Sequence, residues 1–229
     1  MEHEVIVAMD FSSEDEVTSF LKKLGGERPY LKIGMELFYK EGPGMVLRLK
    51  DAGYRIFLDL KLHDIPNTVY KAMKNIARLG ADITNVHAAG GIKMMEWALK
   101  GLREGAPGAD TKLIAITQLT STDERTLHEE LLIPEPLSVT VEKYALNAKA
   151  AGLDGVVCSA HEAPAISKMG LISVTPGIRL AGDDVNDQKR VATPAMARAL
   201  GSTHIVVGRS ITAAADPLAA YLETARQFS

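Results

Sequence analysis

Short runs of β-branched and other apolar residues recur along the chain, and a stretch with helical spacing of apolar positions follows most of them. Eight such runs predict strands at 5–9, 30–33, 55–60, 83–86, 113–117, 155–158, 171–174 and 204–207. Between them lie amphipathic segments such as 12–24, which opens on a serine and several acids, and 67–79, which stops at Gly80. Eight strand–helix units in 229 residues predict an α/β fold, a (β/α)8 barrel closed on itself. An open doubly wound sheet more often has fewer strands. No linker, low-complexity tract or shift of composition divides the chain, so residues 1–229 are expected to form one domain. Two polar inserts interrupt the alternation, 120–136 after the fifth strand and 178–190 after the seventh. In a barrel such loops lie at the strands' C-terminal ends, where binding and catalysis concentrate.

Composition narrows the function classes. Twenty-six Lys and Arg against 29 Asp and Glu give a net charge of −3, without the basic excess that nucleic acid or an anionic membrane attracts. A hydrophobic fraction of 46% and a charged fraction of 24% fit a globular chain. Cys158 is the only cysteine, so no intramolecular disulfide forms. The start Met1-Glu2-His3-Glu4 lacks the bases of a signal peptide, and no uncharged apolar run reaches the roughly 18 residues of a membrane span. A cytoplasmic location is the expectation. Trp97 and the nine methionines are expected in core packing.

Barrel enzymes carry their chemistry at the C-terminal ends of strands, and here those ends are unusually polar. Asp10 follows the first strand, Lys32 lies in the second, and the fourth ends at His87. Gln118 and Thr120 follow the fifth, and Gly208 and Arg209 the eighth. The densest cluster is DLKLHD at 59–64. Alternation predicts Asp59, Lys61 and His63 on one strand face, with Leu58, Leu60 and Leu62 on the other. Buried charges need partners, and Lys61 with Asp59 and Asp64 can supply them mutually, with Lys32 as a second cation. Flanking carboxylates favour the charged form of a lysine, making it a cation and proton donor, whereas a Schiff-base nucleophile needs the opposite surroundings. Spacing alone does not separate the two. A structural ion pair is the plainer reading of the same residues, and His63 fits a packing role as well as a functional one.

The run IVVGRS at 205–210 reads as a strand running into the last helix, with backbone N–H groups and Arg209 available to a phosphate. TPGIR at 175–179 adds Gly177 and Arg179, and Gln188 in the second insert can reach the same anion if that loop closes. The P-loop, the nucleophile elbow, zinc-type Cys/His spacing and the dinucleotide fingerprint are all absent, and HAAGG at 87–91 reads as a strand-to-helix turn. Nothing in the sequence calls for a bound cofactor or metal.

Eight segments in order, VAMDF, LKIGMELFYKEGP, FLDLKLHDIPNTV, NVHAAGG, AITQLTS, VTPGIR, NDQKRVATP and IVVGRSIT, resemble the orotidine 5′-monophosphate decarboxylase family in its short bacterial form. The resemblance spans essentially the whole chain and implies cofactor-free conversion of orotidine monophosphate to uridine monophosphate in pyrimidine biosynthesis. It implies an array of Lys32, Asp59, Lys61 and Asp64 with Lys61 as proton donor, in a homodimer where Asp64 and Thr68 reach the neighbouring subunit's site. It further implies ribose contacts from Asp10 and Lys32, a pyrimidine contact from Thr120, and phosphate contacts from Gln188, Gly208, Arg209 and Arg179. Three other readings compete: a Mg²⁺-dependent barrel enzyme acting on a sugar phosphate, a Schiff-base aldolase, and a phosphate-ligand binding protein without catalysis. Lys32 stands where the Mg²⁺-binding relatives resemble one another in carrying a glutamate.

Overall fold

A computed structural model describes residues 3–180 and 191–229. Its strands are β1 (Glu4–Ala8), β2 (Tyr30–Gly34), β3 (Ile56–Leu62), β4 (Ile83–His87), β5 (Lys112–Ile116), β6 (Gly155–Val157), β7 (Ile172–Thr175) and β8 (His204–Val207). Each pairs in parallel with the next, and β8 returns to β1 through partners such as Val5 and Ile205, closing an eight-stranded (β/α)8 barrel of one domain. Every strand expected from the apolar runs is present within a residue or two. The largest difference is β3, which runs two residues past 60 into the charged cluster.

Around the barrel lie α1 (Glu14–Lys22), α2 (Met35–Glu41), α3 (Pro43–Asp51), α4 (Pro66–Ile76), α5 (Gly91–Gly105), α6 (Leu137–Ala150), α7 (Ala163–Lys168), α8 (Pro194–Ala199), α9 (Arg209–Thr212) and α10 (Pro217–Phe228). Ser13 caps α1, its hydroxyl accepting from the Glu16 N–H at 3.3 Å, while Glu14, Asp15 and Glu16 face the positive end of the helix. After α4 a 3₁₀ turn, Ala77–Leu79, ends at Gly80, whose φ of 68° is the left-handed stop that glycine makes cheaply. Two sequence expectations need correcting here. Arg209 opens the four-residue α9 and not the last helix, α10, which follows after Pro217. The insert 120–136 is not simply a loop: Thr126–Glu130 form a π-helical turn that buries Leu127, with the Thr126 N–H bonded to Asp123 at 2.9 Å.

Two apolar clusters hold the fold. Ile6, Ala8, Tyr30, Phe57, Ile83, Ile114, Val174 and Val206 fill the barrel interior, and a larger cluster lies between strands and helices. Met9, Met45, Met73, Met94 and Met95 are buried as expected, but Met35, Met196 and Trp97 are exposed. The reason for Trp97 is angular. The buried face of α5 is Met94, Met95, Ala98, Gly101 and Leu102, and residue 97 falls outside that stripe, edge-on to Tyr70. Within the stripe, a side chain at Gly101 would sit 2.2 Å from the Tyr70 carbonyl oxygen, so glycine lets α4 and α5 pack closely. Among the described residues no helix is long and apolar enough to cross a membrane.

At the N-terminal end of the barrel, Arg55 donates to both carboxylate oxygens of Glu4 at 2.7 and 2.6 Å and lies over the Tyr30 ring. His204 is half-buried beside them, which pushes its pKa down to about 4, with Arg55 adding to the effect and Glu4 opposing it. The unfolded imidazole takes up its proton near 6.5, before the folded one does. His204 therefore contributes stability that is complete above about pH 6.5 and declines as pH falls toward 4, by a few kcal/mol at most. We expect His204→Gln to flatten that decline in urea unfolding followed against pH; an unchanged decline would mean that the imidazole is not held neutral.

Candidate active site

Inward-facing positions recur every second residue along a strand, and here each inward column changes character as it climbs. Ile6 and Ala8 are followed by Asp10, Tyr30 by Lys32, Phe57 by Asp59, and Ile83 by Asn85. The apolar members fill the barrel, and the polar ones arrive together at its C-terminal mouth. There Asp10, Lys32 and Asp59 edge a cavity of about 450 Å³, a volume suited to a small-molecule ligand, with Asn85 buried behind them. Its floor is the top of the inner core, with Ala8, Phe57, Ile116, Val157, Val174 and Val206.

Four charges meet at one side of this cavity. The Lys61 ammonium lies 2.8 Å from Asp59 Oδ2, and the Lys32 ammonium lies 3.0 Å from Asp10 Oδ1 and 3.8 Å from the same Asp59 oxygen. Asp59 is only 7% exposed, so its carboxylate depends on these cations; removing one partner of such a buried pair costs roughly 3–5 kcal/mol. Both lysines line the same cavity as the apolar floor residues.

Lys61 reaches this position through an irregular backbone. Leu58 pairs with Thr84, but the next β3–β4 pair is Leu62 with Val86, so β3 carries two surplus residues. Lys61 takes a φ of 53°, a left-handed conformation costing about 1–2 kcal/mol for a residue with a side chain. Simple alternation therefore describes Asp59 and Lys61 but fails at His63. The chain has left the strand there, and the exposed His63 ring lies 5.6 Å from that of His87. Burial, with His63 and Lys61 nearby, pushes the His87 pKa below its ordinary value.

Among the described residues, the mutual pairing of Lys61 with two acids is realised by Asp59 alone. Asp64 is exposed, its carboxylate accepts from the Ile65 N–H at 2.6 Å, and it lies outside the cavity lining. Thr68, in the first turn of α4, is likewise exposed and outside. The far wall brings together Thr120, Gln118, Gly177, Arg179, Gly208 and Arg209. One Arg179 Nη donates to the Ile178 carbonyl at 2.9 Å, while its buried Nε has no hydrogen-bond partner among the described residues. Gln188 and most of the insert 178–190 lie outside the described residues. A second cavity of about 550 Å³ opens at the N-terminal end, but Arg55, Glu4, Asp82 and Lys112 around it are engaged in ion pairs with one another or with neighbours.

Residues 3–224 match the model of the "Orotidine 5′-phosphate decarboxylase / HUMPS family". The chain belongs to this family. Among similar proteins, an orotidine 5′-phosphate decarboxylase of Geobacillus thermodenitrificans is 58% identical over 94% of this chain and 92% of its own. One from Bacillus caldolyticus is 59% identical over 94% and 91%. The crystal structure of orotidine 5′-phosphate decarboxylase from Lactobacillus acidophilus covers both chains fully at 43% identity, with a TM-score of 0.89. An uncharacterized conserved protein from Geobacillus kaustophilus superposes with a TM-score of 0.87 at 51% identity, over 98% of this chain and all of its own.

Within this decarboxylase family chain, two contributors escaped the reading of charges at strand ends. One is Asn85, fully buried, whose amide donates to Asp59 Oδ1 at 2.6 Å and accepts from the Lys61 N–H at 2.8 Å. The other is the apolar floor, whose residues look in sequence like any barrel core. Asn85 had a signal, because it lies two residues past Ile83 on a strand whose other positions up to Val86 are apolar or hydroxylated.

Proposed function

We propose that the protein decarboxylates orotidine 5′-monophosphate to uridine 5′-monophosphate, with Lys61 stabilising and then protonating a carbanion at C6 of the ring. The observation that carries this reading is the Lys61 ammonium, held at 2.8 Å by a nearly buried carboxylate beside an apolar floor. When the bond from C6 to the carboxylate breaks, CO₂ departs and the electron pair stays on C6. That pair lies in the ring plane, orthogonal to the π system, so conjugation does not spread it. A fixed cation in the plane stabilises it, and stabilises it more where water is excluded. The ammonium then gives its proton to C6, and the neutral amine regains one from solvent. Asp59 orients Lys61, and Asp10 and Lys32 are suited to the ribose hydroxyls on the same side.

The opposite wall serves the phosphate. Backbone N–H groups around Gly208, the Arg209 guanidinium and the Arg179 Nε, which has no partner among the described residues, are donors suited to an anion, and Gln188 and Thr120 complete the assignment with phosphate and pyrimidine contacts. The phosphate takes no part in bond breaking, so its binding energy can be used to orient the reacting end of the substrate. Against the Mg²⁺-dependent reading stands the Lys32 ammonium, which already occupies the space between Asp10 and Asp59 where a cation would sit. No cofactor enters this scheme.

Asp64 and Thr68 enter it through a homodimer, each reaching the partner subunit's cavity. The exposed Ile65 beside Asp64, together with exposed Ile92 and Trp97 on the neighbouring α5, gives that surface an apolar face suited to a second copy. The whole operates in the cytoplasm without nucleic acid or membrane.

Two substitutions should have opposite signatures in a chelator-treated assay following orotidine monophosphate absorbance. Lys61→Ala should lower kcat by on the order of 10³-fold or more while uridine monophosphate still binds. Arg209→Ala should weaken uridine monophosphate by about 10-fold to 100-fold and uridine hardly at all. Parent-like turnover in the first, or equal losses for nucleotide and nucleoside in the second, would refute the corresponding role. Dilution to a monomer, followed by light scattering, should abolish activity; a fully active monomer would overturn the shared site.

A further inference from the structure

We infer that Asn85 is a positioning residue that sets both the Asp59 carboxylate and the Lys61 backbone, a role that rests on the decarboxylase reading above. Its amide is fully buried on β4 between the two, donating through Nδ2 to Asp59 at 2.6 Å and accepting through Oδ1 from the Lys61 N–H at 2.8 Å. An ionised carboxylate only accepts and a backbone N–H only donates, so the two partners fix which way the amide faces.

The reason for an amide lies in the register. The surplus residues of β3 take the Lys61 N–H out of the regular ladder with β4. A backbone donor inside the barrel needs an acceptor, and Asn85 provides it from within the irregularity. Next to it, the Thr84 hydroxyl donates to the Leu58 carbonyl at 3.1 Å, so two side chains of β4 close the break that a regular ladder would have closed with backbone. The same amide occupies Asp59 Oδ1, leaving Oδ2 to face Lys61 and Lys32. The direction of the Lys61 ammonium is thus set twice through one residue, at its backbone and at its counter-ion. Leucine has the shape without the bonds. Glutamine is one methylene too long for the gap. Aspartate reproduces both bonds only while it carries a proton.

The last point gives the test a readout that a purely structural role would not move. Kinetics on orotidine monophosphate are measured for the parent, Asn85→Ala and Asn85→Asp, with uridine monophosphate affinity by calorimetry and kcat followed from about pH 5 to 9. Asn85→Ala should lose kcat by on the order of 100-fold, with product affinity within about 3-fold of the parent. In Asn85→Asp the new carboxyl faces Asp59 and Lys61 on β3, with Lys32 on β2 and His87 on its own strand. Protonated, it mimics the amide; ionised, it repels Asp59. Its kcat relative to the parent should therefore rise as the pH falls. Parent-like kcat in Asn85→Ala, or equal loss of kcat and product affinity, would overturn the role. So would an Asn85→Asp profile parallel to the parent, which decides the matter if Asn85→Ala does not fold. An inactive parent would instead overturn the decarboxylase reading, and this role with it.

Discussion

Asp59 has two carboxylate oxygens, three partners among the described residues and almost no access to water. Asn85 takes one oxygen; the Lys61 and Lys32 ammonium groups share the other. A buried carboxylate is tolerable only with such partners, and the partners in turn are held where it holds them. The rest of the cavity follows from that dependence. The break in β3 register turns Lys61 toward the carboxylate, β4 supplies the side chains that close the break, and the inner core beneath gives the cavity that both lysines line an apolar floor.

Such an arrangement is a poor way to stabilise a barrel. Well-packed apolar side chains of similar volume would often be as stable, and would not need a left-handed Lys61. A cost accepted at one spot on an otherwise regular scaffold marks where the chemistry is expected. The two ends of the barrel make the contrast. At the N-terminal end Arg55 and Glu4 neutralise each other bidentately over Tyr30. At the C-terminal end two lysines share Asp59, Lys32 also pairing with Asp10, and line an open cavity, while the opposite wall keeps an unpaired arginine nitrogen among the described residues.

The barrel was legible because its signals are local. Apolar runs, the acids opening α1 and the glycine stop at Gly80 each report on a few neighbouring residues, and the eight strands followed. The charged array was legible because Asp10, Lys32, Asp59 and Lys61 are conspicuous at apolar strand ends. What escaped depends on pairing between strands. Alternation put His63 beside Lys61, but the register slip between Leu58 and Leu62 turned the chain away, and no periodicity within β3 announces a slip against β4. Trp97 was expected in the core from its residue type, whereas its angle on α5 put it outside the buried stripe. The π-helical turn at Thr126–Glu130 lay hidden in a polar stretch because only Leu127 is buried there.

The central claim is geometric: the ammonium of Lys61 stands in the plane of the heterocycle, against the carbon that loses its carboxylate. A crystal structure with uridine monophosphate bound measures it directly. The account predicts Lys61 Nζ within about 3.5 Å of C6, the reach of a near-attack contact, with the phosphate at Gly208 and Arg209. A ring whose C6 edge faces away from Lys61, with the phosphate still seated at Arg209, would contradict it.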